Sequence, residues 1–105
     1  MNRDQLIEWL EENLLVDEGR SHKSFGTTEE FYGDPEDKSE GSFGVWISAE
    51  DGCTYKGESA YEYWTRYESA PDYTFGVLNK FEAKLKKLGW WSEFNDPGTV
   101  MIWKI

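Results

Sequence analysis

The residues able to do chemistry in this chain are few and poorly grouped. His22 is the only histidine and sits in a polar Ser-His-Lys-Ser context. A histidine-centred triad would need Cys53 or a serine brought to it by the fold, and neither has a nucleophile's sequence setting. Cys53, the only cysteine, falls in a predicted strand, where a lone thiol behaves as a small buried hydrophobe. One cysteine excludes an internal disulfide and a cysteine-based zinc site, and suits a reducing compartment. Asp34, Glu36, Asp37 and Glu40 place carboxylates at spacings that suggest a calcium loop. The EF-hand pattern fails, because its glycine position holds Ser39 and no glutamate closes the loop. Carboxylate pairs could serve glycoside hydrolysis, but with 21 acids in 105 residues a pair alone carries no signal. There is no phosphate-binding glycine loop of either common type. The expectation is a protein that is not an enzyme, with no catalytic residue, no metal and no cofactor.

Charge is distributed unevenly. Residues 1 to 72 hold 18 Asp and Glu against 6 Lys and Arg, whereas residues 73 to 105 hold 3 against 5. A net charge of −10 repels nucleic acid and anionic membranes at long range and attracts basic proteins. The amino terminus lacks an apolar run fit for a signal peptide, and no segment approaches a membrane span. The chain is expected to be soluble and cytoplasmic.

The elements that must position these residues follow from periodicity. Asn2 and Gln5 form a capping box, and Leu6, Ile7, Leu10 and Leu14 recur on one helical face to about Leu15, bordered by Trp9. Residues 16 to 41 read as a loop-rich connection, with room for a short strand near Phe25 or near Phe31 and Tyr32. Residues 42 to 48 alternate Phe43, Val45 and Ile47 with Trp46 and small residues, the period of a half-buried strand. A turn at residues 49 to 52 would return the chain through Cys53 to Lys56 as its hairpin partner. For residues 59 to 69 a strand template competes with a helical one, and the Ser59–Glu62 capping box favours the helix, ended by Pro71. Asp72 caps a last helix with Val77, Leu78, Phe81, Leu85 and Leu88 on one face and Lys80, Lys84 and Lys87 on the other, ending at Gly89.

A carboxy-terminal hairpin turns at Asp96-Pro97-Gly98, with Gly98 expected at positive φ. Regular pairing from Asp96 and Thr99 sets Phe94 against Met101. Trp90, Phe94, Met101 and Trp103 then share one face, and Trp91, Val100 and Ile102 share the other with Glu93 and Lys104. The fold expected is a single α+β domain over residues 1–105, with an antiparallel sheet of three to five strands packed on two or three helices. Its core would include Leu6, Leu10, Leu14, Phe81, Leu85, Trp90 and Trp103.

In composition the chain resembles the small, acidic, aromatic-rich accessory proteins of bacteriophages and mobile elements, some of which inhibit nucleic-acid enzymes by imitating DNA. That resemblance implies an interaction protein whose partner is another protein, with a basic or nucleic-acid-binding one among the candidates. The residues expected to meet it are Trp91, Val100 and Ile102 on the hairpin and Glu36, Asp37 and Glu40 in the acidic loop. The alternatives are a small-ligand or carbohydrate binder using Tyr61, Trp64, Trp91 or Trp46 as stacking platforms, and a small carboxylate-based hydrolase.

Overall fold

The structure, a computed structural model, describes residues 1–15, 25–28, 44–49, 53–68 and 70–105. Helix α1, Arg3–Asn13, starts where its capping box requires: the Asn2 side chain accepts from the Gln5 N–H and the Gln5 side chain accepts from the Asn2 N–H, both at 2.9 Å. It buries Leu6 and Leu10, and the chain then becomes extended as β1, Leu14–Leu15. A four-stranded antiparallel sheet is built from β2 (Phe25–Thr27), β3 (Val45–Ser48), and the last two strands, β8 (Trp90–Asp96) and β9 (Thr99–Lys104). Among the described residues its order is β2-β3-β9-β8, with β8 at an edge.

Between these lie β4 (Thr54–Tyr55), β5 (Glu58–Ser59), a 3₁₀ turn η1 (Tyr63–Arg66), β6 (Tyr73–Thr74), β7 (Val77–Leu78) and α2 (Asn79–Leu88). Strands β1, β4 and β5 make a small antiparallel sheet, and β6 and β7 pair with each other. The core joins Leu6, Leu10 and Leu14 to Phe81 and Leu85 of α2 and to Val45, Ile47, Trp90, Val100 and Ile102 of the large sheet. Phe81 is its aromatic hub, in ring contact with Trp9, Tyr55 and Tyr61 at 5.2 to 6.1 Å. Among the described residues, no helix is long and apolar enough to cross a membrane.

Four sequence expectations are corrected. Strand β3 does not form a hairpin with the strand after it: it pairs with β2 and β9, while β4 pairs with β1 and β5. Residues 59–68 are not a helix but an extended segment followed by the single 3₁₀ turn, with the Ser59 hydroxyl donating to the Tyr61 carbonyl instead of capping. The last helix begins at Asn79, not after Asp72. Phe75 (φ 50°) and Gly76 (φ 86°) both lie in the left-handed region, the signature of a type I′ turn, and this folds Val77 and Leu78 back as a strand.

The hairpin register is the fourth correction. Asp96 does pair with Thr99, but a bulge between Phe94 and Asp96 sets Phe94 opposite Val100. Pro97 cannot adopt the positive φ that primed hairpin turns need, and Gly98 is not at positive φ either; the Asp96 carboxylate instead accepts from the Gly98 N–H at 3.0 Å. The extra residue at the bulge restores the strand match and moves the pairing by one. Trp90, Ser92 and Phe94 therefore share a face with Val100 and Ile102, and Trp91 and Glu93 share the opposite face with Met101 and Trp103. Val100 and Ile102 are fully buried in the core, so they do not join Trp91 in a surface patch, and Trp103 leaves the core face.

Candidate functional site

A half-open groove of about 800 Å³ lies between α2 and the β8 edge. Chain direction fixes its layout. α2 runs one way, turns at Gly89, and β8 returns antiparallel beside it, so the two elements form the long walls. At one end stand Phe75, Arg66 and Phe94; at the other stand Lys86, Trp91 and Ile105, the last held by its N–H donating to the Gly89 carbonyl at 2.9 Å. Val77 and Ala83 also line it.

In the middle, Glu82 bridges the walls. Its carboxylate accepts from the Ser92 N–H at 3.0 Å and from the Ser92 hydroxyl. The Tyr61 hydroxyl lies behind this pair. Burial first, then the charges of Cys53 and Glu82, push it well above the usual tyrosine range, with Ser92 opposing, so it stays protonated.

The Phe75 end opens onto an exposed aromatic surface. Phe75 is 76% exposed, Tyr67 73% and Trp64 52%. Their positions are braced by polar contacts: Trp64 Nε1 donates to the Glu62 carboxylate at 3.0 Å, and the hydroxyls of Tyr63 and Tyr67 share a hydrogen bond of 2.9 Å. The Arg66 guanidinium lies over the Tyr63 ring at 5.2 Å, and Tyr63 meets Phe94 edge-on at 5.2 Å. Gly76 closes the junction. A Cβ there would lie 2.5 Å from the Phe94 ring and 3.2 Å from Arg66 Cγ, so the hairpin tip can approach η1 and β8 only because the residue is glycine.

Among the described residues two non-glycines lie at positive φ, Lys56 (φ 52°) in the β4–β5 turn and Phe75 in the β6–β7 turn, and of the two Phe75 carries the bulky ring. A bulky side chain at φ 50° is strained, and this one makes its turn while presenting most of its ring to solvent.

Of the residues singled out by sequence, Trp91 lies on the groove's far rim at 36% exposure. Val100, Ile102, Tyr61 and Cys53 are buried, and Trp46 is partly buried on β3. Trp64 is exposed beside the groove. His22, Asp34, Glu36, Asp37 and Glu40 lie outside the described residues, which contain no group of three or more metal-capable side chains. Sequence reasoning missed Phe75, Arg66 and Glu82. The signal for Phe75 was there, since Phe-Gly flanked by Thr74 and Val77 is a two-residue turn between short β-prone segments.

Comparison with known proteins found no matching family model, curated relative or solved structure, so the site stands on its geometry alone.

Proposed function

We propose that this protein is a non-enzymatic interaction module that binds another protein through the hairpin tip, the exposed aromatic residues of η1 and the groove beside them. The observation that carries this reading is Phe75, held in the left-handed region with its ring in solvent. A strained phenylalanine whose ring is mostly in solvent adds little packing to the fold, which supports a role for the ring in a contact outside the chain. Trp64, Arg66, Tyr67 and Phe75 are also the residue types that concentrate binding energy at protein interfaces, where large rigid side chains enter a desolvated patch. Binding would act by occupancy of the partner's surface.

The test is affinity capture from lysate with the intact protein, with Phe75→Ala and Trp64→Ala, and with Lys84→Glu on the outer side of α2 as a control. Loss of the same captured protein with the first two, and its retention with the third, supports the reading. Retention with all three refutes it. A second reading, a small apolar ligand in the groove, is favoured by the cavity volume, which falls within the range of ligand pockets. A small-molecule screen checks it: a compound that raises the melting temperature of the isolated protein, with the rise lost in Ala83→Trp, which fills the groove, supports a small ligand, and no such compound counts against it.

A further inference from the structure

The way β8 is left open narrows what kind of segment the groove can take. In an antiparallel pair, successive residues turn their main-chain groups alternately toward the partner strand and away from it. The Ser92 N–H points away from β9, because it donates to Glu82, and the alternation sends the main-chain groups of Phe94 the same way. Those groups face the groove. A free edge of this kind pairs with any extended chain that reaches it, and proteins commonly place a charged side chain on the edge to prevent this. Glu82 is such a guard: its carboxylate oxygen sits on the Ser92 N–H where the carbonyl of an added strand would sit.

Charge indicates what could replace it. Among the described residues, the two side-chain carboxylates that line the groove are both hydrogen-bonded, Glu82 to Ser92 and Glu93 to Trp103 Nε1 at 2.9 Å on the opposite face of the sheet. The two cations that line it, Arg66 at the Phe75 end and Lys86 at the Ile105 end, have no carboxylate partner among the described residues. Among the described residues, every residue that lines the groove except Arg66 belongs to residues 73–105, the part of the chain with the positive balance.

The geometry points to β8 as a strand acceptor: an extended segment of a partner protein, apolar at alternate positions and carrying carboxylates at both flanks, pairs with the Ser92 and Phe94 main chain after displacing Glu82. This rests on the interaction reading above and specifies the partner's chemistry. Alternate side chains of the segment would enter the groove against Val77, Ala83 and Phe94, with Phe75 and Ile105 closing over its ends, while main-chain hydrogen bonds supply affinity. Arg66 and Lys86 would meet the flanking carboxylates and set the register.

The experiment pans a library of random twelve-residue peptides against the whole protein and then studies the selected peptide. Selection should enrich alternating apolar residues with Asp or Glu toward both ends. The selected peptide should slow hydrogen exchange at the Ser92 and Phe94 amides, and N-methylation at alternate positions should abolish binding. Arg66→Glu and Lys86→Glu should each weaken it by roughly tenfold or more, and Glu82→Ala should strengthen it by about tenfold, with Glu82→Gln as the control for charge alone.

Selection of lysine-rich flanks, tolerance of N-methylation, weaker binding by Glu82→Ala, or no selected peptide at all would overturn strand pairing. A dimer of the Glu82→Ala protein in sedimentation, unaffected by peptide, would assign the edge to a second copy of this chain and overturn the proposal equally. If the peptide fails while Phe75→Ala still abolishes capture of the cellular partner, strand pairing alone has failed. If Phe75→Ala spares that capture, the interaction reading itself has failed.

Discussion

Trp91 lies directly opposite Trp103 across β8 and β9, while its neighbour Trp90 lies opposite Lys104 on the other face of the sheet. Two adjacent tryptophans thus have different fates. Trp90 is buried against the core, with its Nε1 donating to the Met1 carbonyl at 3.0 Å and the Lys104 ammonium over its ring at 5.2 Å. Met101, on the Trp91 face, is only 1% exposed, so the chain itself covers the middle of that face and leaves Trp91 at its rim. Trp90→Ala should cost about 3 to 5 kcal/mol of stability, the range for a large buried aromatic, and Trp91→Ala about 1 kcal/mol. Denaturant melts measure both, and acrylamide should quench Trp91 far more than Trp90 when each is compared by its single variant.

Phe75→Gly should separate stability from binding. Glycine adopts φ 50° without strain, and the exposed ring forfeits little packing, so the denaturation midpoint should rise by an amount worth about 1 kcal/mol with an unchanged slope. Binding to the captured partner should fall at the same time. A variant that is more stable and less functional is the mark of strain kept for use.

Alkaline pH should unfold the protein partly through Tyr61. Its folded pKa is raised above the unfolded value of 10.0, so the native state holds its proton longer than the unfolded chain. Its contribution is fully present below pH 10 and is lost as pH rises above that value toward its folded pKa. Stability measured by urea melts should decline in this window, and Tyr61→Phe should make the decline shallower. Equal slopes for both proteins would remove Tyr61 as the cause.

Gly44→Ala should destabilise by about 1 to 3 kcal/mol through overpacking. A Cβ at this position would lie 2.6 Å from the Trp103 ring and 2.9 Å from the Ile102 carbonyl oxygen. The carbonyl belongs to a central strand and cannot move aside, so the whole cost should appear in a thermal melt.

The α1 cap and stripe were readable because Asn2, Gln5, Leu6 and Leu10 act within one or two turns of chain. The strand at Val45 and the hairpin turn at Pro97 were readable for the same reason. Two failures were local, the helix expected over residues 59–69 and the helix start at Asp72, where a strand or turn template fitted the same residues. The others were long-range or depended on one residue. Nothing local in Val45 or Ile47 says that its neighbours are Ile102 and Val100 rather than the next strand. A single bulge at Asn95 reversed which hairpin residues share a face with Trp91. The groove was illegible because its parts, Arg66, Phe75, Glu82 and Ser92, come from four elements and meet only after folding.

The pairing of β3 with β9 has a kinetic consequence. It joins residues from opposite halves of the chain, and the hydrogen bond from Trp90 to Met1 spans 89 positions of sequence. Contacts of such separation require most of the chain's configurational freedom to be surrendered before they return any energy, which places the large sheet among slow-folding topologies. Until β9 docks, the inner edge of β3 and both edges of the β8–β9 ribbon are open at once. Open edges of this kind are where chains pair with one another, so a higher protein concentration during refolding should lower the yield of folded monomer.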